Sequence, residues 1–330
     1  MGFSLLIAER RFSLAVLVLL AFLAGNVGSA SGQNVDVLRL KDVKVGMKGF
    51  GKTVVHGRKI ETFEVEVLGI LSNNKVNENL LINGKSILVK VSGDVIRRAG
   101  GIAAGMSGSP VYIDGKLMGG ISSGWIMTDH TVGLVTPIEE MLEIWSYPDF
   151  ASACVDESRI RRWVPVAPLK LDGKSINAII EAPFDLASTL SSASDEAVFQ
   201  QASVDVYVDG LDGKAAEVLK SRLQKKNLVL TRKGGAATPE TPDVADASAD
   251  SFEPGSAFGI QLARGDINMT TLGTVTHRSA HRILALAHPF LKKGAVSFLM
   301  TGAYIHHSFS SVQMPFKIGA PTEMLGIITQ

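Results

Sequence analysis

The chain has 330 residues, of which 46% are hydrophobic and 20% are charged, so it can bury a sizeable core and is not disordered throughout. Its 33 basic and 32 acidic residues leave a formal net charge of +1, which gives a polyanion such as nucleic acid no basis for binding. With 33 glycines and 6% aromatic residues, the composition favours many short strands joined by glycine turns over a helical bundle.

The N-terminus has the pattern of a secretory signal peptide over residues 1–30. The charged residues Glu9–Arg11 precede the apolar run FSLAVLVLLAFLAG, and small residues follow around Ala30. This run is shorter than the roughly 20 residues that a membrane-spanning helix requires. We therefore expect cleavage near Ala30 and export to the periplasm, the cell envelope or the medium. The alternative is an uncleaved segment that keeps the protein associated with the membrane.

Cysteine and histidine usage argues against a cofactor. Cys154 is the only cysteine, so an intramolecular disulfide and a cysteine-based metal site are both excluded. No metal-ligand spacing occurs among the histidines and carboxylates, and no glycine-rich loop carries the lysine of a phosphate-binding motif. The sequence therefore predicts neither a metal nor another cofactor.

The first half of the chain, residues 31–147, is predicted to be a β domain. In ETFEVEVLGI, Phe63, Val65 and Val67 alternate with glutamates, as in a half-buried strand. Glycine and proline set the bounds of the elements that follow. These are a strand over residues 87–91, a helix over 94–99 ended by Gly100 and Gly101, a hairpin around Asp114-Gly115, and a helix that begins at Pro137.

Three regions follow this β domain. Residues 148–235 alternate strand-like and helix-like patterns, with a helix over 214–225, and are predicted to form an α/β insertion. Residues 236–255 are rich in Ala, Pro, Asp, Ser and Thr and nearly lack large apolar side chains, which predicts a disordered linker. Residues 256–330 return to short strands and are predicted to form a second β region.

Ser107 lies on a glycine-rich corner, GMSGSP, directly before the predicted hairpin. Acyl transfer requires a nucleophilic hydroxyl beside N–H groups that stabilise the tetrahedral oxyanion. Gly105 and Gly108 permit backbone angles and close approaches that a Cβ would block, so the Gly105 and Ser107 amides can converge on one point. The corner thus predicts a nucleophile with an oxyanion hole. A glycine-rich turn that merely joins strands is the alternative for so short a motif.

The longer pattern around this serine resembles known peptidases. Gly-x-Ser-Gly-Ser-Pro-Val followed by a hairpin is similar to the nucleophile region of trypsin-like serine proteases. ETFEVEVLGI, GGIAAGMSGSPVYIDGKLMGG and GLVTPIEEML, in this order, resemble the serine-bearing part of the SpoIVB peptidase family, which are exported serine peptidases of the trypsin-like clan. GTVTHRSAHRILALAHPFLKKG resembles the histidine segment of that family. The resemblance implies a mostly β fold on a trypsin-like two-barrel plan and a serine endopeptidase that hydrolyses a protein or peptide substrate through an acyl-enzyme.

The resemblance also implies roles for individual residues: Ser107 as the nucleophile, the Gly105 and Ser107 amides as the oxyanion hole, and His288 as the base. His288 follows the apolar strand RILALA and precedes Pro289, which favours an extended backbone. In the family the histidine segment precedes the serine, whereas here it follows by 181 positions. Geometry rather than chain order defines a triad, so this exchange is compatible with catalysis. His56 is the second candidate for the base.

The acid of the triad is not matched. The family's aspartate position corresponds to Ser92, which cannot carry the charge, so we predict Asp94, on the same strand face, as the third member. Asp266 and Glu323 are further candidates, and Asp94 has the alternative role of a helix cap. A Ser–His dyad with slower turnover is one alternative for the whole chain. Another is an inactive relative that serves as a peptide-binding module or an envelope scaffold.

Overall fold

The structure, a computed structural model, describes residues 36–72, 84–146, 161–171, 174–182, 195–200, 204–211, 213–224, 228–232, 252–279, 282–291 and 295–330. The predicted signal peptide, Cys154 and residues 236–251 of the predicted linker lie outside these ranges. The described residues belong to one compact unit, Val35–Gln330. Within those ranges, no helix is both long enough and apolar enough to cross a membrane.

The first half of the described chain is a closed antiparallel barrel of six strands. Its strands are β1 (Lys48–Thr53), β2 (Glu61–Ser72), β3 (Lys85–Ser92), β4 (Pro110–Ile113), β5 (Lys116–Ser123) and β6 (Val132–Pro137). They pair in the order β1-β4-β5-β6-β3-β2, and β2 pairs back with β1. The predicted alternation in β2 is confirmed: Phe63, Val65 and Val67 are buried in the core, whereas Glu64 is exposed. This alternation gives the barrel its apolar interior.

Local sequence signals predicted the short helices and the hairpin of this half correctly. Helix α1 (Asp94–Ala99) ends at a glycine, and helix α2 (Ile138–Glu143) begins directly after Pro137. Between β4 and β5, Asp114 and Gly115 have positive φ angles of 50° and 76°, as a type I′ hairpin turn requires. The turn lets β5 pair back along the whole of β4, and the loop that bears the candidate nucleophile leads into the start of β4.

The strands in the middle of the chain belong to three sheets. Its elements are β7 (Arg161–Pro165), β8 (Leu169–Leu171), β9 (Lys174–Ile176), β10 (Ala178–Ala182), β11 (Glu196–Gln200), β12 (Val204–Asp209), helix α3 (Gly213–Gln224) and β13 (Leu228–Arg232). Strands β7, β10 and β11 extend the barrel sheet beyond β2, and β8 pairs with β9. Strands β12 and β13 are parallel and join the second sheet, with α3 between them in the chain. The region predicted as an α/β insertion therefore supplies strands to both halves.

The second half is a seven-stranded sheet. Besides β12 and β13 it contains β14 (Ala257–Ala263), β15 (Asn268–Ser279), β16 (Arg282–Ala285), β17 (Phe298–Phe309) and β18 (Phe316–Ile328). The order is β13-β12-β15-β14-β17-β18, and β16 pairs with β15. Phe252, near the end of the predicted linker, is buried in one cluster with Phe258 of β14, so the ordered core begins before residue 256. The mostly β, trypsin-like fold predicted from the sequence is confirmed.

Candidate active site

Ser107 lies on the loop between α1 and β4, where two glycines have left-handed backbone angles. Gly105 and Gly108 both have a φ of 92°. A Cβ on Gly108 would lie 2.0 Å from the Thr274 carbonyl oxygen and 2.5 Å from the Leu286 nitrogen, so only glycine allows the loop to approach the second sheet this closely. At this approach Thr274, on β15, donates its backbone N–H to the Ser107 carbonyl at 2.8 Å. The serine corner is thereby fixed to the second sheet.

His288 meets Ser107 at the junction of the barrel and the second sheet. The His288 Nε2 atom lies 3.0 Å from Ser107 Oγ, which is within hydrogen-bond range. On the other side of the ring, Nδ1 lies 3.0 Å from the carbonyl oxygen of Pro289. Because a carbonyl only accepts, this contact favours the tautomer with its proton on Nδ1 and leaves Nε2 as the acceptor for the serine hydroxyl. A general base requires this arrangement.

The backbone that leads into His288 has an uncommon conformation. Leu286 and Ala287 are consecutive non-glycine residues with positive φ angles of 65° and 57°. Thr136 Oγ1 donates to the Ala287 carbonyl at 2.6 Å, and the Leu286 N–H donates to the Thr274 carbonyl at 3.4 Å. Such a conformation persists only where its surroundings enforce it. The barrel and the second sheet therefore set the direction of the histidine together.

The backbone N–H groups of the serine loop, residues 104–108, are alternately hydrogen-bonded and without an acceptor in the described structure. The N–H groups of Ala104, Met106 and Gly108 all donate to backbone carbonyls. Within the part of the chain that the structure describes, the N–H groups of Gly105 and Ser107 have no acceptor. Backbone N–H groups near a cleft rarely go without a partner, so these two are suited to bind an oxyanion.

The structure does not bring Asp94 to His288. The Asp94 carboxylate is exposed on α1 and bonds to the guanidinium groups of Arg97 and Arg98, the latter at 2.7 Å. The hydrogen bond from Arg98 holds the pKa of Asp94 below its usual range. The hydrogen bonds of the Asp94 carboxylate in the described structure go to these two arginines of its own helix and not to His288. The geometry therefore gives the sequence-predicted acid no part in the site.

Other candidates from the sequence are also engaged elsewhere. Glu323 forms an ion pair with Arg58, with an N–O distance of 2.6 Å. His56, the second candidate for the base, has its Nδ1 atom 3.0 Å from the His306 carbonyl. Ser92, at the family's acid position, donates its hydroxyl to a glutamate of β2 at 2.7 Å. The residue that contacts Ser107 is therefore His288 and not one of these three.

A cleft opens beside the Ser107–His288 pair. Both residues line it together with Gly105 and with Ser122 and Ser123, at the end of β5. The other lining residues are small or apolar: Ile102, Ala103, Ala104, Ile121, Gly124, Leu272, Leu286 and Met314. Among the described residues, no Asp, Glu, Lys or Arg lines the cleft, and no three His, Cys, Asp or Glu side chains are grouped to hold a metal ion. The described lining of the cleft is thus free of acidic and basic side chains apart from the imidazole of His288.

One part of the chain matches a known protein family. Residues 25–142 match the model of the SpoIVB peptidase S55 family. This region is similar to the serine-bearing part of that family. It covers about a third of the chain and includes Gly105 and Ser107, whereas His288 lies beyond it. No curated protein and no solved structure matches the chain. The predicted resemblance to the SpoIVB family is therefore confirmed on the serine-bearing side.

Sequence reasoning missed the threonines that hold the serine loop in place. The hydroxyl groups of Thr274 and Thr276, on β15, donate to the carbonyls of Gly105 and Gly108 at 3.0 Å and 2.6 Å. The alternation in TVT was the available signal, because residues i and i+2 of a strand share a face. That pattern indicates a polar strand face but not the loop against which it packs.

Proposed function

We propose that the chain is an exported serine endopeptidase of the SpoIVB type. The observation that carries the proposal is the 3.0 Å contact between His288 Nε2 and Ser107 Oγ. The family match supports a peptidase. The contact supplies the nucleophile and base that covalent peptide hydrolysis requires.

In the proposed reaction, Ser107 Oγ attacks the carbonyl carbon of the scissile bond while its proton passes to His288 Nε2. The tetrahedral oxyanion accepts hydrogen bonds from the Gly105 and Ser107 amides. Collapse of this intermediate expels the amine, which takes the proton from Nε2, and leaves the acyl group on the serine. Water then attacks the ester while the same nitrogen accepts its proton, and the serine is restored.

The walls of the cleft support a protein or peptide substrate with an apolar side chain next to the scissile bond. Uncharged side chains, among them Ile121, Leu272, Leu286 and Met314, line the cleft beside the candidate nucleophile. A charged side chain placed there would lose its hydration without gaining a counter-charge from these walls. We therefore expect cleavage after apolar residues to be favoured.

Labelling with a fluorophosphonate, which phosphonylates activated serines, tests the proposal. Wild-type protein should be labelled, Ser107→Ala should not be labelled, and His288→Ala should react far more slowly because the hydroxyl loses its base. Ser109→Ala is the matched control, since the Ser109 hydroxyl is buried without a hydrogen-bond partner in the described structure. Labelling that survives in Ser107→Ala would remove Ser107 from the mechanism.

Export rests on the N-terminal sequence pattern and has its own test. Protein recovered from the periplasm of a bacterial host should begin near residue 31 when its N-terminus is sequenced. A full-length chain in the membrane fraction would instead indicate a retained anchor.

A peptide-binding module without turnover is the second candidate function. The position of Asp94 favours it, because the acid that the sequence predicted is paired with Arg98 instead of with the histidine. Capture of peptides by a wild-type protein that neither cleaves them nor reacts with the fluorophosphonate would establish this alternative.

A further inference from the structure

Lys317, on β18, is a lysine whose side chain is completely buried, with 0% of its surface exposed. Its Nζ atom lies 2.9 Å from Thr53 Oγ1 and 3.4 Å from the Gly105 carbonyl oxygen. Its backbone N–H donates to the Ala104 carbonyl at 3.1 Å. Burial lowers the pKa of its amine to about 7. The residue thus contacts the serine loop through both its main chain and its side chain.

A lysine in such a position is unfavourable for stability. The Nζ partners are a hydroxyl and a carbonyl, and no carboxylate in the described ranges forms an ion pair with it. A buried ammonium group without a counter-charge loses hydration that neutral dipoles replace only in part. Since a methionine of similar length would fill the same space, packing alone does not explain the amine. A buried lysine with a lowered pKa that contacts the loop bearing the candidate nucleophile is therefore a candidate functional residue.

The peptide planes of the serine loop indicate what Lys317 does. A trans peptide directs its C=O and its N–H to opposite sides. The Ala104 carbonyl accepts from the backbone of Lys317, so the N–H of the same peptide, which belongs to Gly105, points away from β18. In the next peptide, the Gly105 carbonyl accepts from Lys317 Nζ and from Thr274 Oγ1. Two donors on one carbonyl restrict the rotation of the segment that leads to the Ser107 amide.

We propose that Lys317 and Thr274 are positioning residues of the oxyanion hole, which hold the Ala104 and Gly105 carbonyls so that the Gly105 and Ser107 N–H groups face the cleft. This inference rests on the proposed peptidase function and deepens it. Lys317 is not a base for the serine, because Ser107 Oγ contacts His288 Nε2 while the lysine amine contacts the Gly105 carbonyl. Lys317 therefore acts on the reaction through the backbone of Gly105.

Inactivation kinetics with a peptidyl fluorophosphonate separate binding, measured by KI, from the attack of Ser107, measured by kinact. Lys317→Met keeps the length of the side chain and removes the donor. We expect kinact to fall by about tenfold to a hundredfold with KI unchanged, since loss of an oxyanion-hole donor lowers rates by about 10²–10³ and a displaced donor by somewhat less. Thr271→Val is the matched control: it removes a buried hydroxyl of β15 that donates to the Asp205 carbonyl at 2.8 Å and not to the serine loop. It should react at the wild-type rate.

If circular dichroism shows that Lys317→Met does not fold, Thr274→Val tests the inference instead. Valine keeps the shape of threonine and removes the hydroxyl that donates to the Gly105 carbonyl, so kinact should fall in the same way. A folded Lys317→Met or Thr274→Val protein that reacts at the wild-type kinact overturns the inference. A wild-type protein that is not labelled at Ser107 overturns the peptidase proposal itself, and the inference falls with it, so the two failures are distinguishable.

Discussion

Thr136 Oγ1 donates a hydrogen bond of 2.6 Å to the carbonyl of Ala287, the residue immediately before His288. Thr136 lies on β6 of the barrel, whereas Ala287 follows β16 of the second sheet. The bond therefore joins the half that bears Ser107 to the half that bears His288, next to the contact between those two side chains. Bonds of this kind hold residues outside the family-matched region in position against that region.

Thr136→Val should slow the reaction of Ser107 without abolishing it. The variant leaves the Ala287 carbonyl without this donor in a left-handed segment, so we expect the free energy of unfolding to fall by about 0.5–1.5 kcal/mol and kinact to fall several-fold. Urea denaturation and fluorophosphonate kinetics measure the two effects. Thr131→Val is the control, because the Thr131 hydroxyl donates to Asp129 outside the cleft. Equal kinact values for both variants would show that the bond does not position the histidine.

Gly108→Ala and Gly115→Ala should differ sharply although both glycines have positive φ angles, 92° and 76°. A Cβ on Gly115 meets nothing within 4 Å, so its replacement has only the left-handed backbone cost of about 1–2 kcal/mol. A Cβ on Gly108 would lie 2.0 Å from the Thr274 carbonyl oxygen, so the loop must separate from β15. We expect Gly108→Ala to be the less stable variant in urea and to lose labelling of Ser107, while Gly115→Ala keeps it. Similar stability and labelling in the two variants would mean that the loop tolerates this separation.

Local sequence signals were sufficient to predict the turn at the serine corner, but they do not predict the long-range contacts that complete the site. The glycines beside Ser107 and the Asp114-Gly115 turn depend on near neighbours in the chain, and the structure agrees with the sequence at these positions. The contact between Ser107 and His288 spans 181 positions, so only the family resemblance could predict it. Long-range contacts of this kind arise from sheet packing, which a single strand pattern does not reveal.

Asp94 and Lys317 show what sequence reasoning could not place in the fold. Strand β3 ends at Ser92 and Asp94 begins α1, so these residues do not share a strand face as predicted. Arg97 and Arg98, three and four positions further along the helix, reach the carboxylate instead. For Lys317, strand alternation defines a face, but only the three-dimensional structure shows that the serine loop and β1 cover its amine.

Lys317 should make the free energy of unfolding rise with pH. The pKa of its amine is about 7 in the folded protein and has an ordinary value of 10.5. Between these values the unfolded chain binds a proton that the folded chain has released, so stability increases as the pH rises from 7. Relative to Lys317→Met, the wild type should gain up to about 1.4 kcal/mol per pH unit above pH 7. Urea denaturation of both proteins from pH 6 to 9 measures this difference, and a constant difference would contradict the burial of a titrating amine.

Glu140, on α2, should have the opposite effect at lower pH. Its Oε1 atom accepts the N–H of Lys85 at 2.8 Å, and burial raises the pKa of its carboxyl from 4.5 to about 7. Between these values the folded chain holds a proton that the unfolded chain has released, so stability falls as the pH rises towards 7. Glu140→Gln keeps the size of the side chain and removes the titration. Its stability relative to the wild type should increase from pH 4.5 to 7 and then remain constant.

Together, the two titrations predict that the contribution of these groups to the free energy of unfolding is smallest near pH 7. Glu140 lowers the free energy of unfolding up to that pH, and Lys317 raises it above that pH. The double variant Glu140→Gln/Lys317→Met should therefore show a flatter profile than the wild type on both sides of pH 7. Each single variant should flatten one side only, because the side chains lie on different elements and have no shared hydrogen-bond partner. If the double variant still shows the wild-type minimum in the free energy of unfolding near pH 7, other groups cause the pH dependence.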